Sequence, residues 1–258
     1  MHNELLHIGP LTVYGYGFMI AMGVLAAWFV AEQRARKLKL EHIFYLVVWC
    51  AIGGFTSAKI LFWITNWREF LQNPRQIIGS DGFVVYGGII GGILVGWLYC
   101  RIKKLKFLKY FDLMMPSIAL AQGFGRIGCF LAGCCYGKET SGPLAVTFTN
   151  SDFAPNNVAL IPTQIYSGFL DFAHFLLLLY VAKHKKADGQ VAACYLIFYS
   201  IGRFVIEFFR GDIERGSVGV LSTSQFISIF TTVAGIILLL TVVKKQKQEA
   251  NISLNSKG

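Results

Sequence analysis

Long blocks of apolar residues constrain the fold of this 258-residue chain more than any other feature. A helix needs about 20 apolar residues to cross the hydrocarbon core of a bilayer, where every backbone polar group must find its hydrogen bond within the segment. Charged residues make up only 15% of the chain, against about 25% in soluble domains. The pattern predicts an all-α, polytopic membrane protein with about seven transmembrane helices. The predicted spans are Val13–Ala31, Ile43–Ile64, Phe83–Cys100, Leu113–Cys134, Gln164–Val181, Ala192–Phe209 and Phe226–Val243.

Basic residues between these blocks predict the orientation of the chain. Sixteen of the 24 lysines and arginines follow the first, third, fifth and seventh blocks. By the positive-inside rule, the N-terminus is predicted to lie outside and the C-terminus in the cytoplasm. The opposite connections are longer, and residues 136–163 are rich in turn-forming residues, so we expect a small extracytoplasmic cap there. Otherwise residues 1–258 are predicted to form a single integral membrane domain.

The net charge of +10 also bears on the partners of the chain. The positive charge lies between apolar blocks and not on one soluble face, so we do not expect nucleic acid to bind. The same distribution favours attraction to the anionic headgroups of a membrane.

Ionisable residues within the blocks indicate a functional site, because each costs about 2.5–3.5 kcal/mol at membrane depth. Tyr199, Arg203, Glu207 and Arg210 are spaced four, four and three apart and therefore share one helix face. An Arg203–Glu207 ion pair that only fixes helix register is one interpretation. However, Arg126 and Arg203 outnumber the single acid Glu207, so we expect an external anion. Guanidinium donors fit phosphate, which makes a phospholipid headgroup the predicted ligand.

Two glycine-rich stretches accompany these charges. GFGRIGCFLAGCCYG surrounds Arg126 and indicates a closely approached helix end, where backbone N–H groups can help to hold phosphate. YGGIIGGILVGW contains overlapping GxxxG patterns, which are typical of close helix packing. The alternative is that Gly87 and Gly88 leave room for a lipid headgroup.

The six cysteines contain no CxxC pair, and the histidines form no ligand cluster, so neither a metal site nor a cofactor is predicted. Buried thiols are the default interpretation of the cysteines. The chain also lacks GxSxG and HExxH, which leaves ordinary hydrolase chemistry unsupported.

Five motifs together resemble the prolipoprotein diacylglyceryl transferases, bacterial enzymes that move diacylglycerol from phosphatidylglycerol to a cysteine thiol. The resemblance covers nearly the whole chain. It is carried by IGP followed by YGYG, DGFVVYGGIIGG, GRIGCFLAGCCYG, PTQIY and YSIGRFVIEFFR. The sequence departs from the family pattern at four positions. Tyr86 replaces a histidine, Cys129 an asparagine, Cys134 a glutamate and Ile161 a further histidine.

The resemblance implies the roles of the site residues. Arg126 and Arg203 would clamp the departing phosphate, Glu207 would orient Arg203, and Tyr86 would assist thiol deprotonation or orient the lipid. No cysteine of the chain is assigned as the nucleophile, since the substrate supplies the thiol. The residues expected to bind substrate are Tyr16, Gly87, Gly88, Gly137, Gln164, Tyr166, Tyr199 and Arg210.

The acceptor implied is the lipobox cysteine of a prolipoprotein signal peptide, and glycerol phosphate would be released. The expected location is the bacterial cytoplasmic (inner) membrane, with the active site facing the outer leaflet. Two alternatives remain open. One is a related phosphatidylglycerol-dependent transferase with another acceptor, and the other is a non-catalytic phospholipid-binding membrane protein.

Overall fold

A computed structural model describes residues 4–8, 11–79, 82–212 and 216–255. The described residues fall into two compact units, one within the ranges Met1–Gln33 and Phe111–Gly258 (unit 1) and one within Arg34–Tyr110 (unit 2). The nine described helices are α1 Gly15–Lys37, α2 Ile43–Thr65, α3 Trp67–Gln72, α4 Pro74–Gly79, α5 Val85–Ile102, α6 Phe107–Ala132, α7 Thr163–His184, α8 Gln190–Glu207 and α9 Thr223–Asn255. Three antiparallel strand pairs are also described: β1 Glu4–Ile8 with β2 Leu11–Tyr14, β3 Val146–Thr147 with β4 Ala159–Leu160, and β5 Ser217–Val218 with β6 Leu221–Ser222.

Six of the described helices (α1, α2, α5, α7, α8 and α9) are long and apolar enough to cross a membrane. Most of their residues are not buried inside the protein, as expected for helices that contact lipid. The prediction of an all-α polytopic membrane protein is therefore confirmed. The fourth predicted span coincides with most of α6, which is 26 residues long but carries Lys109, Asp112 and Arg126. The count of seven spans and the sides of the termini stay predictions.

Small residues hold α2 and α5 together in unit 2. A Cβ on Gly87 would lie 2.6 Å from the carbonyl oxygen of Ser57, and a Cβ on Gly54 would lie 3.2 Å from that of Gly88. These distances leave no space for larger side chains, so the two backbones approach closely. The GxxxG patterns therefore serve helix packing, while headgroup binding by Gly87 and Gly88 stays a prediction.

In unit 1, α7 and α8 pack together, and α8 also packs along α9. A buried cluster that includes Met115 of α6, Leu178 of α7 and Val191 of α8 joins the first two helices to α6. Gly235 of α9 fits against α8, where a Cβ would lie 2.8 Å from Ile197 Cγ1. Thus α7 and α8 are held beside α6, and α9 is held beside α8.

A carboxylate of α6 holds the start of α8 in place. Asp112, only 1% exposed, accepts hydrogen bonds from the backbone N–H groups of Gly189 (2.8 Å) and Ala192 (2.9 Å). Lys185 donates a third, at 2.7 Å. Burial would lower the pKa of Lys185, but the hydrogen bonds with Asp112 and Asp188 raise it, so Lys185 stays charged. The carboxylate thus caps the positive end of a helix dipole and pairs with a cation.

The connection of residues 136–163 folds around a small core that it shares with α6. Phe148, Ala154 and Leu160 are buried and pack against Tyr136 and Val146 of the same segment and against Phe130 of α6. Asn156 fixes one turn, because its Oδ1 accepts from the backbone N–H of Ser151 at 2.8 Å and its Nδ2 donates to the Ser151 carbonyl. The segment is therefore ordered, as expected for a cap. Its place outside the membrane and the single-domain assignment of residues 1–258 stay predictions.

Candidate active site

A cavity of about 310 Å³ in unit 1 is lined by residues of α6, α7 and α8. Three of the predicted site residues, Arg126, Tyr199 and Arg203, meet there. Asp171 and His174 of α7 also line this cavity, and the sequence analysis assigned neither of them a role. Apolar side chains make up most of the remaining wall. A cavity with few polar groups, two of them guanidinium groups, is suited to an amphipathic anion.

Arg203 is held by its own helix and by α9. Its Nη2 lies 2.8 Å from Glu207 Oε2, the contact that the four-residue spacing predicted, and donates to Ser224 Oγ at 2.9 Å. The side chains of Arg203 and Glu207 are 14% and 7% exposed. Both contacts use Nη2, so the other N–H groups of the Arg203 guanidinium are not used by these two partners.

Arg126 also has a carboxylate neighbour, and this corrects the sequence analysis. Its Nε lies 3.8 Å from Asp171 Oδ2, so two partly buried arginines face two carboxylates, Asp171 and Glu207. The predicted surplus of positive charge is therefore wrong. At 3.8 Å the contact is an ion pair without a hydrogen bond. Within the described part of the chain, the Arg126 guanidinium makes no hydrogen bond, and its donors remain available at the cavity.

An aromatic stack connects two residues of the cavity wall, His174 and Tyr199. The His174 ring stacks on Tyr195 with 5.2 Å between centroids, and Tyr195 stacks on Tyr199 at 5.6 Å. His174 is 7% exposed, and its Nε2 has no hydrogen-bond partner among the described residues. Sequence reasoning could have found Asp171 and His174, because both are ionisable residues inside the fifth predicted span. The missing information was which face of α7 turns toward Arg126.

A second cavity of unit 1, of about 490 Å³, contains Glu207 and Arg210 in its wall. Arg210 Nε donates to Asp212 Oδ1 at 2.8 Å, and Nη2 donates to Oδ2 of the same carboxylate. Burial would lower the pKa of Arg210, but the hydrogen bond with Asp212 raises it above its usual value. Arg210 is therefore a permanently charged residue near the end of α8.

Gly137 lies where three chain segments meet. Its N–H donates to the Ile161 carbonyl at 2.9 Å, and Gly211 N–H donates to the neighbouring Tyr136 carbonyl at 3.1 Å. A Cβ at Gly137 would lie 2.5 Å from the Ile161 oxygen and 2.9 Å from the Phe209 oxygen. Only glycine fits there, and it positions Arg210, its partner in an isolated β-bridge.

We therefore expect Gly137→Ala to lower the free energy of unfolding by about 1–3 kcal/mol, the usual cost of overpacking. The loss should appear as a lower midpoint of thermal unfolding for the protein purified in detergent. Gly142→Ala is the matched control, because a Cβ there meets only the end of the Thr140 side chain, at 3.3 Å. Equal midpoints for the two variants would contradict this assignment.

Gln164 presents an unsatisfied acceptor inside unit 1. The residue is 1% exposed; Nε2 donates to the Cys134 carbonyl at 2.8 Å, while Oε1 has no hydrogen-bond partner among the described residues. A buried, unpaired oxygen is costly unless a ligand supplies a donor. Tyr16 lies against the same end of α6, since a Cβ on Gly128 would be 3.3 Å from the Tyr16 ring.

The same end of α6 brings three cysteines together. The sulfur atoms of Cys129, Cys134 and Cys135 lie within 4.8 Å of one another. The sequence spacing did not predict this cluster, because it depends on how the chain turns after α6.

The other predicted site residues have separate positions. Tyr166 is half-buried on α7. Tyr86, Gly87 and Gly88 begin α5 in unit 2, where the Tyr86 side chain is 45% exposed. Their roles stay predictions.

Fold and site together define a multi-pass membrane protein with a guanidinium-lined cavity inside a helix bundle. The sequence pattern that defines the prolipoprotein diacylglyceryl transferases matches residues 3–241, so the chain belongs to the prolipoprotein diacylglyceryl transferase family. A phosphatidylglycerol–prolipoprotein diacylglyceryl transferase of Clostridium tetani is 48% identical over 239 residues, which cover 92% of this chain and 96% of that protein. A second such transferase, of Clostridium perfringens, is 47% identical over 92% of this chain and 94% of its own length. The Staphylococcus haemolyticus protein of the same name is 33% identical over 90% of this chain and 85% of its own length.

Proposed function

We propose that this chain transfers the diacylglyceryl group of phosphatidylglycerol to the lipobox cysteine of a prolipoprotein and releases glycerol phosphate. The observation that carries the proposal is the cavity where Arg126, with no hydrogen bond among the described residues, and Arg203 are both available to one anion. The names of the three relatives above supply the substrates.

The reaction substitutes a thiol for a phosphate ester at a saturated carbon. The C–O bond breaks with its electron pair on the phosphate oxygen, so negative charge increases on the leaving group. Preorganised guanidinium donors in a cavity with mostly apolar walls are suited to stabilise that charge. The thiol must also lose its proton, since the thiolate is the competent nucleophile.

Each residue has a proposed role. Arg126 and Arg203 bind the phosphate, and Glu207 orients Arg203 through its 2.8 Å contact. The Oε1 atom of Gln164, which has no hydrogen-bond partner among the described residues, accepts a hydrogen bond from a hydroxyl of the glycerol headgroup. Tyr86 assists thiol deprotonation or orients the lipid. The remaining proposed binding residues, supported so far by the resemblance, are Tyr16, Gly87, Gly88, Gly137, Tyr166, Tyr199 and Arg210.

The proposed location is the bacterial inner membrane, with the site opening to the outer leaflet and residues 136–163 forming an extracytoplasmic cap. The predominance of lysine and arginine in the connections opposite this cap supports the orientation. The compact core of the segment around Phe148 supports a folded cap.

A direct assay tests the function. The purified protein is incubated with phosphatidylglycerol and a lipobox peptide, and both released glycerol phosphate and peptide mass are measured. Release with a modified peptide is the expected result. Release without modification would favour another acceptor, for which the departures at Cys129 and Cys134 leave room. No release would favour a lipid-binding protein without catalysis.

We expect Tyr86→Phe to slow the transfer by about 10²-fold, a loss that follows both from removing a proton-transfer group and from misplacing the lipid. The substitution removes only the phenol oxygen from a half-exposed side chain, so folding should be preserved. Single-turnover rates with saturating lipid measure the effect. Tyr45→Phe, also exposed in unit 2, is the control. An unchanged rate for Tyr86→Phe would exclude its phenol from the reaction.

A further inference from the structure

The cysteine cluster at the end of α6 has the arrangement of a metal-binding tripod. In a tetrahedral Zn²⁺ site with Zn–S bonds of about 2.3 Å, the sulfur atoms lie roughly 3.8 Å apart. The sulfurs of Cys129, Cys134 and Cys135 are within 4.8 Å of one another, so rotation of the side chains by small amounts would bring them to that spacing.

The backbone around the cluster is already fixed in place. α6 ends at Ala132, and Gly133 and Cys135 both have positive φ, +77° and +62°. A positive φ is costly for a cysteine and persists only where surrounding contacts enforce it. The Cys135 carbonyl accepts from Thr163 Oγ1 at 2.8 Å, and the Cys134 carbonyl accepts from Gln164 at the same distance. Both contacts come from the start of α7, so the turn that gathers the three thiols is preorganised.

Two guanidinium groups flank the cluster. Arg210 lies within hydrogen-bonding reach of Cys135, and Arg126 precedes Cys129 by one helical turn. Tyr16 and Gln164, both proposed to bind substrate, flank the same segment.

We propose that Cys129, Cys134 and Cys135 bind Zn²⁺ through three thiolates and leave the fourth coordination position for the acceptor thiol. This inference rests on the proposed function and deepens it. Structural zinc sites are closed by four protein ligands, whereas catalytic sites have three and an open position. The described cysteine, histidine and carboxylate groups supply no fourth ligand to this cluster.

The zinc site would perform the deprotonation that the reaction requires. A thiol that coordinates zinc loses its proton outright, here to solvent. The bound thiolate then attacks the glycerol carbon, the S–C bond forms, and the C–O bond breaks with its electron pair on the phosphate. Glycerol phosphate leaves, the thioether is a weaker ligand than the thiolate, and the metal site is free for another thiol. No redox step occurs. Tyr86, where the family has a histidine, would then orient the lipid.

Cobalt tests the site without depending on activity. The detergent-purified protein is reduced, freed of metal by a chelator and titrated with Co²⁺, whose thiolate complexes absorb by charge transfer. We expect one Co²⁺ per chain, and we expect a lipobox peptide to change the ligand-field bands. The same peptide with serine in place of cysteine should leave the bands unchanged. Cys134→Ser should abolish the charge-transfer absorption, and Cys194→Ser, on α8, should retain it.

Two results would overturn the metal site. One is the absence of charge-transfer absorption in the reduced wild-type protein, and the other is its persistence in Cys134→Ser. Transfer activity is measured in parallel with and without added Zn²⁺. Full turnover by the metal-free enzyme would refute the zinc proposal and leave the transferase function intact. Cobalt binding without any turnover in metal-loaded protein would refute the transferase function instead.

Discussion

Arg203→Ala is expected to lower kcat/KM for diacylglyceryl transfer by about 10³-fold, the loss typical when one preorganised donor to a developing charge is removed. The guanidinium lines the cavity formed by α6, α7 and α8 and is held there by Glu207 and Ser224. Its removal takes a fixed positive charge from the departing phosphate. The measurement is glycerol phosphate release against phosphatidylglycerol concentration, with the peptide saturating.

A control must separate catalysis from folding, because Arg203→Ala leaves Glu207 buried without its cation. Breaking such a pair typically costs about 3–5 kcal/mol. In the double variant Arg203→Ala/Glu207→Gln the uncompensated carboxylate is gone, so the unfolding midpoint should recover toward wild type. Activity should remain lost. Recovery of activity together with stability would show that Arg203 serves only the fold.

Arg126→Ala is expected to cause a loss of similar size, again about 10³-fold in kcat/KM. Arg126 differs from Arg203 because no hydrogen bond among the described residues holds its guanidinium, which leaves the whole fork for a ligand. We therefore expect the apparent affinity for phosphatidylglycerol to fall as well as the rate. Arg126→Lys should recover only part of the activity, since an ammonium group lacks the bidentate geometry.

Asp171→Asn is the matched comparison for Arg126. It breaks the same 3.8 Å ion pair and keeps the guanidinium in the cavity. If Arg126 binds phosphate, Asp171→Asn should be less damaging than Arg126→Ala by at least about 10-fold, because it removes no donor to the anion. Equal losses of activity in the two variants would mean that the reaction depends on the Arg126–Asp171 ion pair and not on phosphate binding by Arg126.

The parts of this fold that sequence reasoning predicts are those set by local composition. Length and apolarity predicted the six helices that are long and apolar enough to span a membrane, because a bilayer imposes both on any helix that crosses it. The four-residue spacing predicted the Arg203–Glu207 contact, because it lies within a single helix. Neither prediction needed knowledge of which helices are neighbours.

The features that the sequence did not predict depend on how separate parts of the chain meet in the folded protein. Asp171 balances Arg126 only because α7 turns one particular face toward α6, and no spacing along the chain reveals that choice. The thiol cluster depends on the positive φ of Gly133 and Cys135, which reverses the chain just after a helix. The sequence pattern lacked CxxC, yet a turn of this kind brings separated cysteines together equally well.

The three hydrogen bonds accepted by Asp112 have a consequence for biogenesis. The partners of this carboxylate emerge more than 70 residues later, at the junction of α7 and α8. Until that junction has been synthesised, the nascent α6 carries an unmatched negative charge that resists entry into lipid. With α6 as the predicted fourth span, we therefore expect its stable integration to depend on the arrival of the next helical hairpin, and truncation before Lys185 should leave α6 poorly inserted.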